Sequence, residues 1–353
     1  MDVADLRAEF PVLQRLAYLN AGTDGPVPAV AARAAREALD AEEQDGRFGP
    51  HWEARAVVVG ELRALYARVL GAAVEDVALQ TSTSAGIGAV LAGMDLGPGD
   101  EIVTSDREHP GVVGPLIAAR GRGVAVRAVP LRDVADAVSP RTTLVACSHV
   151  SWITGEVAPA ALAEVDVPVV LDGAQGAGAV PVDVRALRCA AYAASGQKWL
   201  CGADGTGMLY IAPGFRDRVR VVAPAYASFE DVRREALHAD ARRFDTASLS
   251  REAAAFSLAS TRLLDAAGLD AVHHRAAALA ARLADALAER GRTVAPRGAT
   301  TLVAWEDPDP AAAGARLAAA GVVVRDLPGT SLLRASVGAW NDESDLQRLL
   351  GAL

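Results

Sequence analysis

Between positions 77 and 211 the chain alternates short apolar runs with helix-forming ones, and that rhythm restricts the folds open to it. Strands are expected at 77–80, 101–105, 124–129, 143–147, 167–171, 190–194 and 207–211, several of them apolar throughout. A strand without polar alternation is buried on both faces. Helices are expected at 27–45, 51–70, from the small-residue turn at 81–86 through 91, and around 115–120. Strands separated by helices need crossover connections, which give a largely parallel sheet covered on both sides. After about residue 225 the pattern changes: two long helices at 250–267 and 271–289 precede a short α+β stretch. That stretch has strands at 300–305, near 322 and at 332–336, with helices at 310–320 and from 342. The reading is an α/β protein with an N-terminal arm at 1–20, a large domain at 21–248, and a linker helix with a small C-terminal domain at 249–353.

One residue stands out chemically. Lysine and arginine together number 35, of which 34 are arginine; the single lysine is Lys198. A primary amine can lose its proton and attack a carbonyl, whereas guanidinium stays protonated. Schiff-base formation is the best-known use of that difference. Lys198 lies in Ala193-Ala194-Ser195-Gly196-Gln197-Lys198-Trp199, where an apolar strand opens into a turn of small residues. Open α/β sheets gather their reactive groups at such carboxyl ends of strands.

Charge and composition exclude several classes. A net charge of −9 argues against nucleic acid or an anionic membrane as partner. The acidic start Met1-Asp2-Val3-Ala4-Asp5 lacks the apolar core of a signal peptide, and no apolar run suffices to span a bilayer. Three cysteines, Cys147, Cys189 and Cys201, are too scattered for a disulfide framework or a zinc site, so no metal is expected. A cytoplasmic protein acting on a small molecule is the expectation.

Four elements fall at the ends of expected strands. Thr81-Ser82-Thr83-Ser84-Ala85-Gly86 offers hydroxyls and free amides at a helix start, a cradle for phosphate. His109 follows the strand at 101–105 and can stack on an aromatic ligand. Asp172 ends an apolar strand, where a carboxylate needs a partner such as a protonated heterocyclic nitrogen. Lys198 completes the set. Taken singly, each has a commonplace reading: a helix cap, an incidental loop histidine, a stray surface lysine. Together they describe a phosphate, an aromatic ring, a ring nitrogen and an aldehyde, which pyridoxal 5′-phosphate combines. No glycine-rich dinucleotide fingerprint or P-loop competes with that reading.

The chain resembles the class V aminotransferase family of fold-type-I pyridoxal enzymes, which includes cysteine desulfurases, C–S lyases and isopenicillin-epimerase-like proteins. The motifs that carry the resemblance are Tyr18-Leu19-Asn20-Ala21-Gly22-Thr23, Thr81 to Gly86, Glu108-His109-Pro110 and Ser148-His149-Val150-Ser151-Trp152. They continue with Leu171-Asp172-Gly173-Ala174-Gln175, Ser195-Gly196-Gln197-Lys198 and Arg334-Ala335-Ser336-Val337. The resemblance implies that Lys198 carries the cofactor as a Schiff base, that His109 stacks on its ring and that Asp172 pairs with its nitrogen. It places Gln175 at the 3′ oxygen, and Thr83, Ser84, Ser195 and Gln197 around the phosphate. Gln197 stands where the family usually has histidine. Arg334 is implied to take the substrate α-carboxylate, with Asn20 and Trp152 shaping the substrate pocket. Arg243-Phe244-Asp245-Thr246-Ala247-Ser248 resembles a segment that reaches a neighbouring subunit's phosphate, so Ser248 and a homodimer with shared sites are expected.

Two departures narrow the activity. Desulfurases of this family carry a nucleophilic cysteine shortly before the carboxylate-binding arginine, and residues 325–333 contain none. Cys201 is near Lys198 in sequence, with burial as its expected role. Trp152 stands where desulfurases often have asparagine, which suits a bulkier substrate group. The resulting expectation is a C–S lyase performing β-elimination on an S-substituted cysteine, releasing a thiol or related sulfur species, pyruvate and ammonia. Amino-group transfer and epimerisation of an amino acid are the alternatives within the same family.

Overall fold

A computed structural model of the chain describes residues 2–246 and 249–353. Seven strands form the central sheet: β1 Val77–Gln80, β2 Glu101–Ser105, β3 Ala125–Val129, β4 Thr142–Ser148, β5 Val169–Asp172, β6 Ala191–Ser195 and β7 Gly207–Ile211. Their spatial order is β1-β7-β6-β5-β4-β2-β3. Every pairing is parallel except those of β7, which runs antiparallel to both its neighbours. The architecture is the mostly parallel α/β sheet expected for a fold-type-I enzyme.

Period-two alternation sorts the strand residues between two cores. Val103, Val145, Leu171, Tyr192 and Met208 point to one face, where they join Leu62, Tyr66 and Leu70 of α2 (Gly49–Leu70) and Leu258 and Leu264 of α5 (Arg251–Ala266). Ile102, Leu144, Val170, Ala193 and Leu209 point to the other. There they meet Ile87, Val90 and Leu91 of α3 (Thr83–Gly93) and Val112 and Leu116 of α4 (Pro110–Gly121). The long α1 (Ala29–Asp45) packs alongside α5.

One expectation needs correction. The apolar pattern at 124–129 predicts a buried strand, but β3 is the edge of the sheet, with Ala125, Arg127 and Ala128 exposed. Exposure there follows from strand order, which no local pattern encodes. The helix expected around 115–120 is present as α4, which extends from Pro110 to Gly121. Pro110 suits the first helical position, and the His109 ring nitrogen Nδ1 caps the turn by accepting from the Gly111 N–H at 3.1 Å.

The C-terminal part builds a three-stranded antiparallel sheet from β8 Leu302–Glu306, β9 Arg325–Asp326 and β10 Leu332–Ser336, with β10 central. Leu279, Leu283 and Leu287 of α6 (Leu269–Glu289) pack on it with Leu317 of α7 (Pro310–Ala319) and Leu349 of α8 (Glu343–Ala352). Ala17 and Leu19 lie in this same core. The N-terminal segment is thereby held to the C-terminal part, reinforced by Arg7 against Asp345 at 2.6 Å and by Phe10 and Trp340, whose ring centroids are 5.0 Å apart. Asn20 then forms a bridge to Ser336, next to Arg334 on β10.

Candidate active site

The carboxyl ends of β2, β4, β5 and β6 open beside the N-terminus of α3 and beside β10. A cavity of about 260 Å³ lies there. It is lined by Thr83, Ser84, His109, Trp152, Asp172, Gln175, Ser195, Gln197, Lys198 and Arg334, so ten widely separated residues of the sequence reading meet in one place. Asn20 does not line it, but accepts from the Thr23 hydroxyl at 2.8 Å, and that hydroxyl accepts from Arg334 Nη2 at 3.3 Å. Ser248, the remaining site residue read from the sequence, lies outside the described residues.

Lys198 follows β6 through a tight turn in which the Cys201 N–H donates to the Lys198 carbonyl oxygen at 3.1 Å. The loop before α1 lies flat against this turn, with the Gly25 N–H donating to the Gln197 carbonyl oxygen at 2.7 Å. No hydrogen bond or ion pair holds the Lys198 amine to another described residue. Burial pulls its pKa below the ordinary lysine value and Arg334 acts in the same direction, while Asp172 and Asp24 oppose. An amine in that setting is more readily neutral, as a nucleophile or a base must be.

Asp172 is buried at the end of β5, where its carboxylate accepts from the Ala174 N–H at 2.9 Å. Burial raises its pKa, against the influence of Lys198 and that N–H. Gln175 is fixed at both ends of its amide: Nε2 donates to the Gly22 carbonyl oxygen at 2.7 Å and Oε1 accepts from Trp199 Nε1 at 2.9 Å. His109 meets Trp152 edge-on, with centroids 5.3 Å apart and planes at 87°. Burial lowers the His109 pKa to about 4, with Lys198 and Arg334 contributing, so the ring is neutral near pH 7.

At the α3 N-terminus the Ser195 hydroxyl accepts from the Thr83 N–H at 2.9 Å and lies 2.7 Å from the Thr83 hydroxyl. Ser84 is exposed on the first turn, and Gln197 Oε1 is buried without a hydrogen-bond partner. A helix start and converging hydroxyls suit a phosphate monoester, whose dianion the helix dipole favours. Gly22 lines the cavity beside Gln175 and Arg334, where only a glycine leaves room. A Cβ there would stand 2.7 Å from Ser336 Oγ, 3.0 Å from Gln175 Oε1 and 3.1 Å from Arg334 Nη2. The residue set fits pyridoxal phosphate: an amine for its aldehyde, a carboxylate for its nitrogen, an imidazole face, and a phosphate cradle.

Arg334 is buried, with Nη1 donating to the Trp152 carbonyl oxygen and Nε without a partner. It makes no ion pair with a described acidic residue. Burial brings its pKa down to about 9, with Arg325 adding to the effect. A guanidinium in that state favours an arriving carboxylate.

Sequence reasoning gives Glu108, Thr23 and Arg325 no role of their own, although Glu108 and Thr23 stand within its motifs. Glu108 is buried between the ends of β2 and β4, and Arg325 lines the cavity from β9. Glu108 meets Ser148 and Thr23 meets Arg334, partners far away in sequence. All three cysteines are buried, and burial pushes each thiol pKa upward. None lines the cavity.

The profile of the aminotransferase class V family matches residues 18–349. A cysteine desulfurase of Dickeya dadantii is 34% identical over 233 residues, covering 58% of this chain and 56% of that enzyme. An isopenicillin N epimerase of Amycolatopsis lactamdurans is 31% identical over 256 residues, covering 64% of this chain and 61% of that enzyme. The alignments with these curated relatives thus span less than two thirds of their length. Among solved structures, the cystine C–S lyase C-DES in complex with its reaction product cysteine persulfide superimposes with a TM-score of 0.91 at 26% identity, covering 97% of this chain and 98% of that one. A variant of C-DES with glycine covalently linked to its pyridoxal phosphate superimposes equally well, at a TM-score of 0.91 and 26% identity over 98% of both chains.

Proposed function

We propose, from the premise that the chain belongs to the class V aminotransferase family, that it is a C–S lyase acting on S-substituted cysteine. The family depends on pyridoxal 5′-phosphate, and that is the cofactor of this protein. When bound, it supplies an electron sink conjugated to the substrate α-carbon.

The chain's own residues divide the remaining work. Lys198 would hold the cofactor by its aldehyde, and its Nζ would take the α-proton. Its lowered pKa leaves more of the amine in the form able to accept that proton. Asp172 would keep a positive charge on the ring nitrogen, and His109 would pack on the ring as a neutral imidazole. Gln175 would meet the 3′ oxygen, while Thr83, Ser84, Ser195 and Gln197 would hold the phosphate. Arg334 binds the substrate α-carboxylate and Trp152 borders the substrate, while Asn20 acts at one remove, holding the Thr23 hydroxyl that meets Arg334. Overall, the Cβ–S bond breaks and its electron pair leaves with sulfur. Hydrolysis of the three-carbon fragment gives pyruvate and ammonia alongside the thiol.

The observation that supports elimination over desulfuration is that none of the described residues lining the cavity is a cysteine. Residues 325–333 have no cysteine, and the Cys201 thiol is buried with its pKa pushed up. A route that passes sulfur to a cysteine of the enzyme has no thiol at the cavity to receive it. The test is product analysis after incubating the holoenzyme with a panel of S-substituted cysteines. Pyruvate with an equimolar thiol is expected. A ketoacid with sulfur still attached would establish transamination, and an inverted amino acid would establish epimerisation.

A homodimer with shared sites belongs to the same proposal. Phe48, Trp52 and Val57, at the start of α2 and along it, are each more than half exposed, at 59%, 59% and 61%. Such apolar exposure suits contact with a second copy. No helix among the described residues is long and apolar enough to cross a membrane.

A further inference from the structure

Backbone pairing between β2 and β4 ends where Val103 lies opposite Val145, before either strand is finished. Beyond that point a side chain takes over. Glu108 Oε1 accepts from the Ser105 hydroxyl at 2.5 Å and from the Ser148 N–H at 2.8 Å, and Oε2 accepts from the Ser148 hydroxyl at 2.5 Å. The carboxylate therefore ties the last residue of β2 to the last residue of β4. Ser148 in turn lies opposite Asp172 in the β4–β5 register, and the residue after Glu108 is His109.

We infer that Glu108 is a positioning residue for the cofactor: by clamping the ends of β2 and β4 it fixes His109 relative to Asp172. One rigid frame then presents the imidazole to the ring face and the carboxylate to the ring nitrogen. The inference rests on the proposed roles of His109 and Asp172 at that ring. A carboxylate suits the task because two oxygens can accept several donors at once. The His109 ring is held from two further directions, by the Gly111 N–H at Nδ1 and by the edge of Trp152. Glu108 supplies the third restraint, on the backbone. Side chains that meet a ligand act reliably only when such supports lock them. Burial raises the Glu108 carboxyl pKa, its serine donors lower it, and the nearby Asp172 raises it further. The clamp thus sits against the very carboxylate it helps to register.

The test compares Glu108→Ala, Glu108→Gln and Ser148→Ala in wild-type and His109→Ala backgrounds. Two readouts are used: the pyridoxal phosphate dissociation constant, and the visible circular dichroism of bound cofactor, which reports how the ring is held. Glu108→Ala is expected to weaken cofactor binding about 10-fold, the scale seen when a supporting residue behind a ligand-contacting one is lost, and to reduce the dichroic band. Glutamine retains Oε1 for Ser105 and the Ser148 N–H, while Nε2 can donate to the Ser148 hydroxyl, so it should restore both readouts to within about 3-fold. In the His109→Ala background, Glu108→Ala should add less than about 2-fold, because the two act as one unit. Wild-type values in Glu108→Ala, or an equal loss in both backgrounds, would overturn the inference. If His109→Ala alone changes neither readout, the stacking role fails and the inference falls with it. Should Glu108→Ala not fold, Ser148→Ala, which removes one arm of the clamp, carries the same comparison.

Discussion

Arg334 and Trp152 are 182 positions apart, yet Nη1 of the arginine donates to the tryptophan carbonyl oxygen. The bond joins β10 of the C-terminal sheet to the loop after β4, across the cavity. It leaves the guanidinium aimed at the cavity with no described carboxylate beside it. Burial, not charge pairing, dominates its electrostatics. An uncompensated buried cation destabilises the protein that carries it, and an arriving anion relieves that cost.

Replacing Arg334 should therefore separate stability from function. Arg334→Met is expected to stabilise the apoprotein by about 1–2 kcal/mol, since exchanging buried charge for apolar volume is often favourable. The same variant should lose about two orders of magnitude in kcat/KM for any amino acid, the scale of deleting half of a buried ion pair. Calorimetry and steady-state kinetics decide it. An unchanged KM in a destabilised variant would make Arg334 a structural residue.

Asp172 yields a prediction with the pH dependence specified. Its native pKa is raised above the unfolded value, chiefly by burial. Between those two values the native state binds the extra proton, so apoprotein stability falls as pH rises through the window and stays low above it. Asp172→Asn keeps an oxygen to accept from the Ala174 N–H. The apo variant is expected to exceed apo wild type in stability at pH 7, with the advantage vanishing toward pH 4. With cofactor bound the order should reverse, and kcat should fall by about 100-fold or more. Melting curves with and without pyridoxal phosphate test both parts. A variant less stable at pH 7 without cofactor would contradict the assigned cause.

Much of this site is legible in the amino-acid sequence, for a topological reason. His109, Asp172 and Lys198 each follow a strand, and a parallel sheet brings its carboxyl ends together whatever the loop details. Arg334 is legible only through its motif, because 34 arginines look alike by composition. Glu108 is not legible as a clamp, since its partner Ser148 is 40 positions away and meets it only because β2 and β4 part early. The exposure of β3 is hidden for a similar reason: strand order is a global property. The pairing of Ala17–Tyr18 with Val322–Val323 also escapes local reading, because two-residue strands carry too little periodicity.

Lys198→Arg retains a positively charged side chain but removes the amine that can be neutral, join an aldehyde and take up a proton. Turnover is expected to drop by about 1,000-fold or more, with apoprotein stability changed much less than by charge removal. Borohydride treatment of wild-type holoenzyme should leave a reduced pyridoxyl adduct on the peptide containing position 198, found by mass spectrometry. The variant should show none. An adduct elsewhere, or activity within about 10-fold of wild type, would remove Lys198 from the mechanism.

His273 on α6 supplies an acid-lability prediction independent of catalysis. Both ring nitrogens are buried without hydrogen-bond partners, and burial lowers the pKa to about 4, with Asp270 opposing and His274 assisting. The native value lies below the unfolded one, so unfolding takes up a proton as pH falls from about 6.5 toward 4. Stability drains away across that window. His273→Met should gain about 1–2 kcal/mol at pH 5 relative to its own difference from wild type at pH 7. Urea melts at the two pH values give that comparison, and an equal difference at both would show that His273 does not titrate on unfolding.

Gly25 tests how closely the loop before α1 controls the lysine turn. A Cβ at this position would overlap the Lys198 carbonyl oxygen and stand 2.9 Å from Cys201 Sγ and 3.0 Å from Cys201 Cα. Two of those three atoms are backbone, so no flexible side-chain end can swing aside. Gly25→Ala must therefore part the loop from the turn, breaking the hydrogen bond from its own N–H to the Gln197 carbonyl oxygen. A destabilisation of about 1–3 kcal/mol is expected from the overpacking, together with cofactor affinity about 10-fold weaker because Lys198 and Gln197 shift as one piece. Gly49→Ala is the control, since nothing lies within 4 Å of a Cβ built there. Equal cofactor affinity in the two variants would mean that the turn holds Lys198 in place without the loop, and that the glycine at 25 serves packing alone.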